Sequence, residues 1–220
     1  MNLSASPSDV MGAELRPLFA TPFLVTQIEG AQAINEALRP VILDRRDRFP
    51  SARRSNDGGW QSDLDFEAWG GAAGARILAA ARTLADGLTQ VQTEAGLVGL
   101  PPVWTMNAWA NVNGPGDANM PHHHPAAFWS GVYWLEAGEA AEPGGDCGGE
   151  LEFMDPRGVL PAFYAPTLRY AISGCLSAGR SEFFTPRTGT LVLFPAWLVH
   201  SVRRYTGAGV RISVAFNLSI

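Results

Sequence analysis

The 220-residue chain has no lysine, two cysteines and four histidines. Its 16 basic residues are therefore all arginine, and 21 acidic residues bring the net charge to −5, which argues against nucleic acid and anionic membranes as partners. Without a lysine the glycine-rich stretch 142–156 is not a phosphate-binding loop, and its glycines are predicted to form turns. Cys147 and Cys175 are isolated and lack metal-type spacing, which predicts a reduced, cytoplasmic protein.

Long hydrophobic runs are missing as well. No stretch is long enough to span a membrane, and the N-terminus lacks the apolar run with basic flanks that is typical of a signal peptide. Glycine (24 residues), proline (16) and tryptophan (seven) are abundant, which favours a β-rich fold with many turns and a substantial core. At this length we expect a single domain over 1–220, with an N-terminal strand and supporting helices in 1–101 and a β core in 102–220.

The N-terminal part is predicted to contain one strand and two helices. A strand broken by Pro22 is indicated at 18–28. A helix is predicted over 31–39, ending there if Pro40 interrupts it and continuing to 46 if Pro40 only kinks it. Apolar residues at three- and four-residue spacing predict an amphipathic helix from 72 to about 95, packed on the outside of a sheet. Residues 47–64 are predicted to be loop, either an ordinary polar loop or the border of an active site.

Two strands in the C-terminal part have one apolar and one largely polar face. In 102–113, apolar residues such as Ala108 alternate with mostly polar residues such as Asn111. The last strand, 210–218, alternates in the same way. This pattern is typical of a strand whose apolar face packs on a helical layer and whose polar face lines a cavity. The alternative is that the polar face is open to water.

The histidines are clustered. His122, His123 and His124 are consecutive, and His200 lies in a second short run, FPAWLVHSV. In a strand His122 and His124 share one face, roughly 7 Å apart, while His123 faces the other way. Two such imidazoles and a third from a distant strand suit a three-ligand metal site with open positions. A His-rich polar loop is the alternative, but the aromatic and β-branched run that follows predicts a buried strand and favours the metal site.

Arg211 is predicted to face a polar interior. It lies on the last strand, eleven residues after His200, with Ser213 on the same face. A buried arginine needs an anionic partner, and neither this strand nor the preceding turn contains an acid. A ligand carboxylate, held by the guanidinium fork and the Ser213 hydroxyl, is the favoured partner. A distant acid such as Asp146 or Glu150 is the alternative.

Four segments, in this order, resemble the iron(II)- and 2-oxoglutarate-dependent oxygenases: PHHHPAAFWSGVYWL, GGELEF, GTLVLFPAWLVHSV and GVRISVAFNL. They are most similar to the bacterial and phage subgroup with H-x-H-P…SGVYY and FPSWL-x-H…R-x-S-x-FN motifs. The resemblance covers about 102–220 and, more loosely, LFATPF and GGWQS. It implies a mainly β protein with supporting helices, a double-stranded β-helix or jelly-roll. It also implies a dioxygenase that uses Fe(II), 2-oxoglutarate and O₂ to hydroxylate an unidentified small-molecule or peptidyl substrate.

The resemblance further implies the site residues. The metal would be held by His122, His124 and His200. The co-substrate's distal carboxylate would be held by Arg211 and Ser213. Further co-substrate contacts are expected from residues facing the same cavity: Ser130 or Trp134 by parity with the histidines, Tyr133 as an alternative, and Asn111. The candidates for the substrate side are Trp109, Trp129, Trp197 and the segments 47–64 and 157–180, although ordinary core packing is the alternative for each tryptophan.

One position departs from the usual pattern. Most of the superfamily has an aspartate or glutamate where this chain has His124. If His124 were instead the first ligand, Ala126 would occupy the carboxylate position, as in halogenating relatives. The Pro125 and SGVYW register favours three histidines. A neutral imidazole in place of a carboxylate leaves the site more positive, which should raise the metal's potential and leaves its identity open.

The cupins are the main alternative class. Gly116, five residues and then His122-x-His124 fit the first cupin box, and 189–200 partly fits the second. The usual glutamate is missing, however, and Trp197 stands where glycine is expected. A cupin-type metal dioxygenase or isomerase would use neither 2-oxoglutarate nor Arg211. A non-catalytic binding module on the same barrel is a third possibility.

Overall fold

The computed structural model describes residues 18–99, 102–140, 144–172 and 174–220. Its main features are two antiparallel sheets, of six and five strands, and two long helices. In chain order the elements are β1 (Leu24–Gln27), α1 (Ala31–Arg48), β2 (Asn56–Asp57), β3 (Trp60–Gln61), α2 (Phe66–Trp69), α3 (Gly71–Gly87), β4 (Val91–Thr93), β5 (Gly96–Val98), β6 (Thr105–Asn113), β7 (Ala118–His122), β8 (Trp129–Glu136), β9 (Leu151–Phe153), α4 (Leu160–Tyr164), β10 (Glu182–Phe184), β11 (Thr190–Pro195), β12 (His200–Val202) and β13 (Arg211–Ser219).

The two sheets form the predicted double-stranded β-helix. The larger sheet has the order β1-β11-β8-β13-β6-β3, and the smaller has the order β10-β9-β12-β7-β2. Strands distant in sequence are neighbours in both sheets, and β4 and β5 form a separate hairpin. None of the described helices is long and apolar enough to cross a membrane.

The outer face of the larger sheet is covered by α1 and α3. Ile34, Leu38 and Ile42 recur every four residues along α1 and are buried in the same cluster as the apolar faces of β6 and β13. On α3 the buried residues include Ile77 and Leu78. Each such side chain contributes about 1.5–3 kcal/mol through removal from water. The alternation along β6 and β13 thus confirms the prediction of one face on a helical layer.

Two helices differ from their predicted bounds. The first continues through Pro40 to Arg48. Pro40 is exposed, so water can satisfy the carbonyl that loses its amide partner, while Leu38 and Ile42 hold the helix to the sheet on either side. The helix predicted from 72 to about 95 ends at Gly87, and a hairpin follows in which Gly96, at a φ of 113°, pairs with Thr93 directly after the turn.

Between the sheets a second apolar cluster packs beside a polar cavity. The cluster contains Trp134, Leu151, Phe153, Phe194 and Leu198. Ring pairs such as Phe153 and Phe194, with centroids 5.0 Å apart, fill the space between the two inner faces. The polar cavity next to this cluster is lined by the three predicted metal ligands and by Arg211.

Candidate functional site

His122, His124 and His200 converge on one point. His122 is the last residue of β7 and pairs with His200, the first residue of β12, while His124 follows in the turn after β7. The ring centroids are 4.4 Å apart for His122 and His200, 5.0 Å for His122 and His124, and 5.2 Å for His124 and His200. One ring nitrogen from each lies within 4.8 Å of the others. His123 is exposed, as the alternation predicted.

Hydrogen bonds orient two of the three rings. Nδ1 of His122 lies 2.7 Å from the Met120 carbonyl oxygen, and Nδ1 of His200 lies 2.8 Å from the Leu198 carbonyl oxygen. A carbonyl only accepts, so in each ring Nδ1–H donates and Nε2 keeps its lone pair for a ligand. This arrangement is typical of histidines that bind a metal through Nε2.

Burial keeps the three imidazoles neutral. It lowers the pKa of His122, lowers that of His124 to about 4, and lowers that of His200 to about 3. Metal ions bind the neutral form, so at neutral pH protons do not compete. Three neutral imidazoles with free nitrogens facing one another fit a divalent transition metal that keeps positions open for further ligands.

Arg211 lies on the larger sheet and faces the same cavity. Its side chain is buried, and its Nε has no hydrogen-bond partner among the residues that the structure describes. Burial lowers its pKa to about 10, so the guanidinium stays charged at neutral pH. Within the described part of the chain no carboxylate comes within 4.0 Å of it. Glu150 is near enough to stabilise the charge but makes no ion pair with it. The buried cation thus remains available for an anionic ligand.

The cavity lining joins these two groups. The neutral residues that line it together with the three histidines and Arg211 are Ser55, Trp109, Asn111, Asn113, Asn119, Ser130, Val132, Trp134, Leu151, Val202 and Ser213. The Asn111 side-chain amide lies 3.5 Å from the Ser213 hydroxyl, and the buried indole N–H of Trp134 has no hydrogen-bond partner in the described ranges. Along the described chain no aspartate or glutamate lines this cavity. It therefore contains several unused donors and an excess of positive charge.

Two of the predicted residues lie on the other side of the larger sheet. The Tyr133 hydroxyl donates to Oδ1 of Asn35 at 2.6 Å, and the Trp129 indole donates to the Thr89 hydroxyl at 2.9 Å. Both belong to the cluster between sheet and helices. Since side chains alternate along β8, these two face the helices while Ser130 and Trp134 face the cavity. The structure therefore does not bring Tyr133 to the co-substrate side, or Trp129 to the substrate side.

The other two tryptophans are near the histidines. Trp109 is buried with its ring centroid 5.6 Å from that of His124. Trp197 is 54% exposed and follows Ala196, whose carbonyl accepts the His124 backbone amide at 2.9 Å. Trp109 thus lines the cavity, whereas Trp197 is an exposed residue next in sequence to a hydrogen-bond partner of His124.

Three polar cavity residues were not named individually from the sequence, although the first of them lies in the predicted substrate-side segment 47–64: Ser55, Asn113 and Asn119. The Ser55 hydroxyl lies 3.5 Å from Nε2 of His122. Asn113 could have been found, since it shares the polar face of its strand with Asn111. Ser55 carries no such signal, because it reaches the histidines only through the pairing of β2 with β7.

A larger cavity, of about 600 Å³, is lined in part by Phe153 and Leu198 and shares none of its described lining residues with the histidine cavity. Its walls come from 18–23, from the predicted insertion 157–180, and from β10. Among the described residues that line it there is no histidine. The insertion thus borders a space separate from the histidine cavity.

The sequence matches one family model, described as "Putative 2OG-Fe(II) oxygenase", over residues 107–217. The match spans half of the chain and includes the three converging histidines and Arg211. No curated protein matches the sequence.

Several solved structures share the fold. A prolyl-4-hydroxylase from Pseudomonas putida is 17% identical with a TM-score of 0.59, covering 90% of this chain and 91% of that one. A prolyl hydroxylase from Trichoplax adhaerens, in complex with a hypoxia inducible factor peptide fragment, is 12% identical with a TM-score of 0.60, covering 90% and 83%. HygX from Streptomyces hygroscopicus, with nickel and 2-oxoglutarate bound, is 14% identical with a TM-score of 0.56, covering 91% and 83%. At these identities the likeness establishes the fold.

Proposed function

The chain belongs to the 2OG-Fe(II) oxygenase family, and from this premise we propose that His122, His124 and His200 hold the iron while Arg211 anchors 2-oxoglutarate for the oxidation of an organic substrate. One observation carries the proposal: three imidazole nitrogens, and a buried guanidinium without an acidic partner among the described residues, face one cavity from opposite sheets. A cupin that does not use 2-oxoglutarate would have no need of that guanidinium. The family match likewise leaves a non-catalytic module without support.

The smaller sheet provides the metal ligands. His122 and His200 are paired across β7 and β12, and their Nδ1 atoms are held by backbone carbonyls, so both Nε2 atoms are oriented before a metal arrives. His124 completes the set in place of the usual carboxylate, and Ala126 is exposed in the turn beyond it. Bound iron and 2-oxoglutarate supply the chemistry of the family, in which O₂ oxidises a substrate C–H bond while the co-substrate becomes succinate and CO₂.

The larger sheet provides the co-substrate anchor. Arg211 offers a two-pronged fork to the distal carboxylate, and Ser213, two residues on, adds a hydroxyl from the same face. Asn111 and the unpartnered Trp134 indole supply further donors, and Ser130 lines the same wall. The cavity measures about 50 Å³, so a five-carbon diacid binds only when lining side chains move outward.

Tryptophan shapes the side where the substrate enters. Trp109, beside His124, limits the water that can reach the metal, and Trp197 presents an exposed ring near the same ligand. A substrate carbon placed between these rings would be shielded from solvent while it is oxidised.

The test compares His122→Ala and His200→Ala with His123→Ala, a control from the same short segment. Metal content is measured on protein without a histidine tag, together with oxygen-dependent formation of succinate from 2-oxoglutarate. We expect the first two variants to lose both metal and turnover, since each removes one of three ligands. His123→Ala should keep both, because its ring faces away from the cavity. Equal metal content in all three variants would refute the ligand assignment.

A further inference from the structure

We propose that the substrate carries an anionic group, a carboxylate or a phosphate, which Arg53 and Arg54 bind at the mouth of the histidine cavity. The inference rests on the proposed function, because it specifies which class of substrate the same site would oxidise. Four observations support it: the position of the two arginines, the fixed backbone around them, their lack of partners among the described residues, and the charge of the cavity.

Residues 52–55 join the two sheets beside the histidines. The Ala52 amide donates to the carbonyl of Gln61 in the larger sheet at 2.9 Å, and the Ser55 carbonyl accepts the amide of Met120 in the smaller sheet at 2.8 Å. Ser55 itself lies 3.5 Å from Nε2 of His122. Arg53 and Arg54 lie between these two attachments, so both are within two residues of the cavity wall.

Side-chain hydrogen bonds fix the same segment. The Ser51 hydroxyl accepts the Gln61 amide at 3.0 Å and the Asn56 side-chain amide at 3.3 Å. The Arg54 amide in turn donates to Oδ1 of Asn56 at 3.0 Å. Because the backbone is already ordered, binding a ligand costs less conformational entropy than it would on a free loop. The two arginines therefore lie on a backbone segment that is ordered before any ligand binds.

Neither arginine has a partner in the described part of the chain. Both are exposed, and neither side chain makes a salt bridge or hydrogen bond there. Seven other arginines each contact an acid: Arg39, Arg45, Arg46, Arg48, Arg82, Arg157 and Arg204. Arg53 and Arg54 thus place two positive charges on consecutive residues of a protein whose net charge is −5. Their planar forks match the oxygens of carboxylates and phosphates.

The cavity that Ser55 lines adds to the positive field. Its lining supplies no acid among the described residues, and its three metal-binding residues are neutral imidazoles. A divalent metal and Arg211 together carry three positive charges, of which the two carboxylates of 2-oxoglutarate neutralise two. The remaining positive charge favours an anionic molecule at the entrance.

The test measures binding of inorganic phosphate and of acetate by isothermal titration calorimetry. The full-length protein is first loaded with nickel(II) and 2-oxoglutarate, so that no turnover occurs and Arg211 is already occupied. Wild type is compared with Arg53→Gln/Arg54→Gln and with Arg169→Gln/Arg187→Gln, which removes the same charge elsewhere. We expect the first double variant to bind the preferred anion about tenfold more weakly and the second to match wild type. Preference for phosphate or for acetate tells which anion the substrate carries.

Two results would overturn the inference: no anion binding by loaded wild type, or equal affinity in wild type and Arg53→Gln/Arg54→Gln. If the wild type does not bind nickel and 2-oxoglutarate, this is seen before any anion is added. That result would overturn the proposed function together with this inference. Circular dichroism of both double variants shows that each is folded.

Discussion

At the scale of the residue, Arg211 decides whether the cavity can hold a diacid. It is buried, charged and unpaired within the described chain, so its solvation in the folded protein depends on what binds beside it. We expect Arg211→Gln to weaken 2-oxoglutarate binding about 30-fold or more, and Arg211→Lys to have an intermediate effect, because lysine keeps the charge but loses the fork. Calorimetry on nickel-loaded protein measures both. Nickel affinity should not change, and Arg187→Gln serves as the exposed control.

Tyr133 gives a prediction about pH. Burial raises its pKa to about 12 from an ordinary value near 10, while its hydroxyl donates to Asn35. The folded state therefore holds the proton more tightly than the unfolded chain, and this contribution to stability is complete below pH 10 and is lost as the pH rises towards 12. Urea unfolding should show wild type losing stability faster across this interval than Tyr133→Phe. Parallel pH profiles for the two proteins would contradict the assignment.

Single residues also show how far sequence could predict the site. Alternation placed Ser130, Trp134 and Ser213 on cavity-facing positions, because a period of two is a local property of any strand. The same rule, applied consistently, assigns Tyr133 to the helical side. Ser55 could not be found in this way, since its contact with His122 depends on how two strands far apart in sequence pair.

At the scale of the element, β8 is the strand most restricted by its neighbours. It lies between β11 and β13, and a methyl group on Gly131 would come within 2.4 Å of the Phe216 ring and 2.5 Å of the Val192 carbonyl oxygen. We expect Gly131→Ala to lower the free energy of unfolding by about 1–3 kcal/mol, through overpacking. Urea denaturation of that variant and of Gly87→Ala checks this. Gly87 has open space around it, so its substitution should not destabilise the protein.

Elements were predicted best where their pattern was long. The faces of β6 and β13 agree with the sequence because nine residues of alternation fix each strand. The end of α3 was predicted too late, since the apolar spacing continues into residues that instead form the β4–β5 hairpin. The insertion 157–180 has no period from which its place beside the larger cavity could have been predicted.

At the scale of the whole molecule, the proposed ligands divide between the sheets. The three histidines belong to the smaller sheet and its following turn, and Arg211 belongs to the larger one. A co-substrate bound to both the metal and Arg211 would therefore connect the two sheets. Such a connection should stabilise the fold beyond what the metal does alone.

Thermal unfolding tests this coupling. Nickel alone should raise the melting temperature, and 2-oxoglutarate should raise it further. At a concentration one hundred times its Kd, 2-oxoglutarate should add about 2.7 kcal/mol to the free energy of unfolding. Without nickel the same concentration of 2-oxoglutarate should give a smaller shift in melting temperature, because its contacts with the metal are missing. His200→Ala should reduce both shifts. Equal 2-oxoglutarate shifts with and without nickel would show that the two sites are independent.

The pairing of β12 with β7 is irregular, and this irregularity constrains insertions and deletions. His200 lies opposite His122, yet Val202 lies opposite Asn119, so β7 contains one residue more than its partner. Asn119 and His122 both line the cavity, with Met120 and Pro121 exposed between them. Deleting one of these exposed residues would leave Asn119 and His122 two apart, the spacing at which strict alternation keeps both on the cavity face. Deleting both would turn His123 inward in place of His122 and His124. A lineage could therefore lose one of these residues and keep the imidazoles inward, but not two.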